Sequence, residues 1–291
     1  MKKLLFILTA TFLPFSSNAW EPCGTDVNGN TANCEYQIID GTLTIRGTGN
    51  NGNIGNWDQD SGTIAPWRNK DVTNVVIEDS IKNLGHLAFN DIRSVNPIEI
   101  PSSITEIGYN AFFGVRTSEI IIPNSVTEIK DSAFNWSSIE RITIPDSVEN
   151  IGACLRGAVN LKNLIIPDSI TYLPKEILSY TELETLTISD NTTLGEIFTG
   201  NGEETYVNFS NLKIYCTGDT AKCDANLAAA GYPDLKSSKA TTKQINGVTY
   251  VYDKNGKLVT TSGHRTEKRI YTIEEANQVA GPKNRVSIKY R

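Results

Sequence analysis

Two histidines, five cysteines and a column of evenly spaced carboxylates are the residues of this 291-residue chain with chemistry in them. A nucleophilic Cys154 would need a nearby base, and His86 and His264 are all the chain offers. Beside the apolar Leu155, Cys154 reads instead as a small buried hydrophobe. Glu106 and Glu128 stand 22 residues apart, so stacked turns of that length would place them one above the other. A carboxylate pair can act as acid and base in glycoside hydrolysis, but a solvated face of a repeat protein uses the same residues, and that reading is preferred. Asp58-Gln59-Asp60-Ser61-Gly62 is a fragment of a calcium-loop spacing and reads as a polar turn. There is no HExxH, no glycine-rich phosphate loop and no Cys/His cluster of metal-ligand spacing. The expectation is no catalytic residue, no metal and no cofactor.

The elements behind these residues repeat. Seven copies of one phrase run from Val72 to Ile214, the clearest being IEIPSSITEIGYNAFFG from Ile98 and IIIPNSVTEIKDSAFNW from Ile120. Pro101, Pro123, Pro145 and Pro167 recur every 22 residues, and Ser189 stands where the next would fall. Such a period means stacked units, each completing the core of its neighbour. Apolar residues fall at positions one, four and six of each unit: Val72-Val75-Ile77, Val95-Ile98-Ile100, Ile139-Ile142-Ile144, Leu161-Leu164-Ile166, Leu183-Leu186-Ile188 and Phe209-Leu212-Ile214. The unit from Thr117 has a polar first position but keeps Ile120 and Ile122. Positions four and six point one way along a strand and position five the other, which predicts one parallel strand per unit. The proline ends the strand by withholding a donor. Ser80, Ser103, Ser125, Ser147 and Ser169 sit at the corner, placed to bond neighbouring turns. A second extended piece covers Val126 to Ile129, and Ala88-Phe89, Ala111-Phe112 and Ala133-Phe134 form a spine. In the fourth unit either Leu155 or Arg156 takes the phenylalanine slot; Leu155 is preferred, because an unpaired buried charge is costly.

The outward positions three and five make a ribbon whose centre holds Glu99, Glu119, Ile121, Arg141, Thr143 and Ile165. Apolar residues beside charges are what the middle of a protein interface contains, so these six are the candidate ligand-binding residues. The alternative is that β-branched residues stand there for strand propensity.

Residues 1–19 read as a signal peptide: Lys2 and Lys3, an apolar stretch from Leu4 to Phe15, and the small-residue site Ser17-Asn18-Ala19. The run is shorter than a membrane span and broken by Pro14. Export permits disulfides, and two are expected: Cys23 with Cys34, and Cys216 with Cys223, each closing a short polar loop just outside the repeats. The expected organisation is an N-terminal cap over 20–71, repeats over 72–215, a cap helix and linker over 216–239, and a basic module over 240–291. Thr220 to Ala230 reads as the helix, stopped by Gly231. The tail shows a hairpin with Asn255-Gly256 at its turn, a capping box at Thr272-Ile273-Glu274-Glu275 and a final strand-like RVSIKYR. From Lys236 on, 12 Lys plus Arg face 4 Asp plus Glu, a net of +8; Trp20 to Leu235 hold 13 against 29, a net of −16.

The pattern I-x-I-P-x-S-[VI]-T-x-I-G-x-x-A-F resembles the BspA-like leucine-rich repeats of bacterial surface proteins. Cys23-Gly24, DGTLTIRGTG from Asp40 and Pro66-Trp67, ahead of the first repeat, agree with that family's lead-in. Glu78 in place of the first proline, the loop around Thr199-Gly200-Asn201-Gly202 and the lack of a cysteine after Ala-Phe depart from it. The resemblance implies a leucine-rich-repeat solenoid, a β-rich α/β horseshoe, to which the cysteine loops add capped ends and the tail signals a small α+β C-terminal module. It also implies an exported, non-catalytic recognition or adhesion protein on the cell surface, in the medium or in a periplasm, whose repeats bind an extracellular protein or glycan. The basic tail would suit an anionic envelope polymer, and an envelope-associated structural protein displaying that tail is the alternative. Neither a nucleic-acid partner nor a transmembrane segment is expected.

Overall fold

The computed structural model describes residues 19–262 apart from 59, 199–208, 210 and 246–247. The signal segment, the loop after Phe198, the Thr272–Glu275 box and the last strand lie outside these residues. The described chain is a leucine-rich-repeat stack of many parallel strands. The expected strands are present at Asn74–Ile77, Ile98–Glu99, Glu119–Ile121, Arg141–Thr143, Asn163–Ile165, Thr185–Ile188 and Lys213–Cys216. Their register follows the 22-residue period, with Ile98 opposite Ile120, Ile120 opposite Ile142 and Leu164 opposite Leu186. Two further strands join the row. Thr42–Gly47 pairs in parallel with Asn74–Ile77, so Leu43 and Ile45 continue the buried columns of Val75 and Ile77. At the other end Ser237–Ile245 pairs in parallel with Lys213–Cys216.

The corner chemistry is as expected. Each proline carbonyl accepts from the residue three places on, as in Val126 N–H to Pro123 at 3.1 Å. The serine hydroxyls then tie each turn to the one before: Ser125 to the Ile104 carbonyl at 2.6 Å, Ser147 to Val126 and Ser169 to Val148 at 2.7 Å, and Ser103 to Ile81. Ser80 instead accepts, from the Gly47 N–H at 2.9 Å. A second row of short parallel strands follows, including Glu106–Ile107, Glu128–Ile129 and Asn150–Ile151. Behind it runs the aromatic spine. Trp67, Phe89, Phe112 and Phe134 stack at centroid spacings of 6.2, 5.0 and 5.7 Å. Each spine N–H donates to the residue just before the next spine member: Phe89 to Ala111, Phe112 to Ala133 and Phe134 to Cys154. That ladder puts Cys154 in the alanine column and the fully buried Leu155 in the phenylalanine slot. Leu178, bonded to Ile197, and then Phe198 carry the spine onward.

Three expectations change. Val95 is 78% exposed; Ser94 occupies position one, its hydroxyl bonded to the Asn96 carbonyl as Thr117 is to Glu119. This unit has one residue more between spine and strand, and a one-residue offset turns a strand side chain to the other face. The last unit lies two residues later than the apolar spacing predicts: Leu186 pairs with Ile214 and Ile188 with Cys216. A slip of two preserves the inward and outward faces, so the apolar pattern could not expose it. Helix is confined, among the described residues, to Thr220–Ala229, which begins on an Asp219 cap to the Ala221 N–H; the return limbs are turns. The pairs Cys23–Cys34 and Cys216–Cys223 are disulfides, and Cys154 is free and buried.

Residue 239 marks no boundary. The strand Ser237–Ile245 crosses it, then Val248–Asp253 and Leu258–Ser262 follow as antiparallel neighbours, the last two joined at Asn255-Gly256. This hairpin returns over the ribbon. Gln244 donates to Asp146 at 2.6 Å and Ser262 to the Thr143 hydroxyl at 3.2 Å.

Candidate functional site

The return of the hairpin divides the ribbon in two. In its second half, Ile165 packs against Ala240 and Val251, flanked by Tyr215 and Val259, and is only 8% exposed. Thr187, its neighbour in the ladder, is fully buried. Thr143 is half-buried at the rim, in contact with Ser262. The expectation that Ile165 faces solvent therefore fails, because the chain folds back and covers it. Between ribbon and hairpin lies a cleft of about 350 Å³ with Ile165, Pro167 and Asp168 on one wall and Thr242, Gln244 and Thr249 on the other.

The first half of the ribbon is open. Val76 is 41% exposed, Glu99 is exposed and Ile121 half-buried, all at position five of successive strands. Arg141 is exposed, while Glu119, one strand earlier at the same register, is only 8% exposed. The two are paired at 3.1 Å, and the same contact is a hydrogen bond from the Arg141 guanidinium. Charge is thus partly neutralised beside an apolar strip, which lowers the cost of covering it with a partner. At the strand ends, Glu78, Asp79, Glu99, Pro101 and Pro123 border a broad cleft of about 700 Å³. The sequence carried a hint of it in Glu78, which stands where the other units have proline. Of the six predicted residues, Glu99, Glu119, Ile121 and Arg141 come together on the open half, whereas Thr143 and Ile165 belong to the covered half.

The residues with chemistry in their side chains are otherwise engaged. Lys130 bridges the acidic column, 2.7 Å from Glu128 and 3.6 Å from Glu106. The Glu128 hydrogen bond, with Glu106 adding its charge, raises the Lys130 ammonium above its ordinary value. Burial pushes the Cys154 thiol up, which disfavours the thiolate that a nucleophile needs. Asp58 accepts from the Asp60 N–H at 3.0 Å and closes a turn onto Thr63. Among the described residues no cluster of His, Cys, Asp or Glu could hold a metal ion.

The sequence pattern that defines the BspA type leucine rich repeat region matches this chain in six copies, over residues 66–184 and 127–217, more than half of its length. The chain belongs to the BspA-type leucine-rich repeat family. No curated protein matches it. Among solved structures, a leucine-rich repeat protein from Eubacterium ventriosum is 20% identical, with a TM-score of 0.41, and the alignment covers 64% of this chain and 66% of that one. The pneumococcal vaccine antigen PcpA is 19% identical with a TM-score of 0.42, covering 80% of this chain and 55% of that one. A leucine-rich repeat protein from Bacteroides ovatus is 21% identical with a TM-score of 0.36, covering 66% and 71%. The chain thus spans under two-thirds of the length of the first two. In this BspA-type chain the open half of the strand row presents Val76 and Ile121 beside Glu99 and Arg141.

Proposed function

We propose that this is an exported, non-catalytic recognition or adhesion protein that binds an extracellular protein or glycan through the open half of its ribbon, on the cell surface, in the medium or in a periplasm. In this reading the stack is a horseshoe solenoid, the two disulfide-closed segments are its end caps, and the C-terminal residues form a small module. The observation that carries it is the strip Val76, Glu99, Ile121 and Arg141, left uncovered while the hairpin covers the equivalent strip further on. Membership of the BspA-type family supports a recognition role. The test is binding of the labelled chain to epithelial cell surfaces and to immobilised extracellular glycoproteins. Ile121→Asp with Arg141→Glu is expected to lower binding at least tenfold, whereas Val159→Asp, at an exposed residue outside the strand row, leaves it unchanged. Equal binding by both variants overturns the reading.

A second reading rests on charge. The hairpin presents Lys243, Lys254 and Lys257 to solvent, within a tail of net +8. Docking of this tail on an anionic envelope polymer would weaken with salt. Release of the protein from envelope fragments by 0.5 M salt tests it (about 4 Å screening length at that strength); retention in salt overturns it.

A further inference from the structure

On the side of the stack away from the ribbon, one turn position recurs two residues after five of the spine members, Phe89, Phe112, Phe134, Leu155 and Leu178. It is occupied by Asp91, Gly114, Trp136, Gly157 and Tyr180, and all five have positive φ, between 56° and 73°. The rungs are in register, because the N–H of each of the first four donates to the residue before the next: Asp91 to Phe113, Gly114 to Asn135, Trp136 to Arg156 and Gly157 to Ser179. Glycine belongs in such a position, and aspartate tolerates it. Asp91 is also held by an ion pair to Arg68 at 2.8 Å. Bulky aromatic residues gain nothing locally from a left-handed backbone, so Trp136 at 59° and Tyr180 at 59° are outliers that the stack retains.

Their side chains form one surface. Trp136 lies across Gly157, where a Cβ would meet its indole at 2.5 Å, and its ring reaches Tyr180 two rungs away at a centroid distance of 5.7 Å and a tilt of 34°. The Arg156 guanidinium sits over the other part of this cluster, 4.9 Å from the Tyr180 centroid, and is paired with Glu176 at 2.9 Å. Half of the Trp136 surface remains exposed. The result is an aromatic shelf bordered by one donor and one acceptor of opposite charge, nearly neutral as a unit.

We propose that this shelf is a saccharide-binding site, separate from the ribbon, that takes one neutral pyranose unit of a glycan. A pyranose has a flat face of C–H bonds, and those carry the slight positive charge that the negative face of an indole attracts. Its rim of hydroxyls both donates and accepts, which matches Arg156 and Glu176 side by side. A nucleobase also stacks on aromatics, but its phosphates require a basic surround, and Trp20 to Leu235 net −16. The same charge opposes anionic polymers.

The experiment uses the full chain against immobilised neutral glycans: β-glucan, galactan, mannan and N-acetyllactosamine chains. The parent is expected to bind at least one. Trp136→Gly, which suits the local backbone, should lower that binding at least tenfold while the melting temperature stays within a few degrees of the parent. Trp136→Phe keeps an aromatic face and should retain most of it; Trp136→Leu keeps apolar cover without that face and should not. Val27→Asp, at an exposed residue of the loop between Cys23 and Cys34, should leave it unchanged, and glycan binding that falls with Ile121→Asp but not with Trp136→Leu would belong to the ribbon, so failure here and failure of the ribbon reading are distinguishable. The proposal is overturned if the parent binds none of the four glycans. It is also overturned if Trp136→Leu binds as the parent does, or if both Trp136→Gly and Trp136→Leu unfold the stack, which would make the indole structural.

Discussion

At the scale of single residues, burial decides what each side chain is for. Phe112 is fully buried between Phe89 and Phe134, so Phe112→Ala is expected to cost about 3 to 5 kcal/mol through lost contacts and the cavity left behind. Denaturant unfolding measures it, and a midpoint equal to the parent's would mean that the phenylalanine column does not support the stack. Cys154 fills an alanine slot in the same core. It should resist iodoacetamide at pH 8 in the folded protein and react only once denaturant opens the repeat. The choice of Leu155 over Arg156 for the spine was legible because charge burial has a known sign; Arg156 duly pairs with Glu176 instead. The exposure of Val95 was not legible, since Ser94 and Val95 are adjacent and only the turn length decides which points inward.

At the scale of elements, a carboxylate ties the helix to the strand that follows it, beside a bond from the Ser237 hydroxyl to the Thr220 carbonyl. Asp224 accepts from the Ser237 N–H at 2.7 Å and from its hydroxyl at 2.8 Å. Burial works against its charge, but the Ser237 bonds, helped by nearby Lys236, outweigh it and hold the carboxyl below its ordinary 3.8. A carboxyl lowered on folding adds stability above its unfolded value, and loses it as pH falls through the folded one. The parent should therefore melt above Asp224→Asn at pH 7, and the gap should narrow as pH falls below the ordinary carboxyl value; a gap constant with pH would remove the carboxylate from this junction. The strands themselves were readable from alternation. Their register was readable wherever the interval stayed at 22 or 23 residues, even at Ser189 where no proline stands, and it is lost only at the last unit, where Ile214 lies 28 residues after its partner Leu186.

At the scale of the whole molecule, the stack is a chain of neighbour contacts with one long-range closure by the hairpin. Removal of residues 237–291 should expose Ile165 and Thr187 and raise amide exchange in Asn163–Ile165, Thr185–Ile188 and Lys213–Cys216, while Ile98–Glu99 and Glu106–Ile107 keep their protection. Exchange rising equally throughout would mean that the stack folds as one cooperative block. The repeat, the buried columns, the serine corners and the spine were determined by sequence alone, because each is a local pattern repeated at a fixed interval and every copy corroborates the others. Which half of the ribbon stays open was decided only in three dimensions. Ser262 reaches Thr143 across 119 residues, and such a contact has no period to betray it. It depends on where the stack ends and on how the hairpin that follows is turned, and both emerge only when the whole chain is packed.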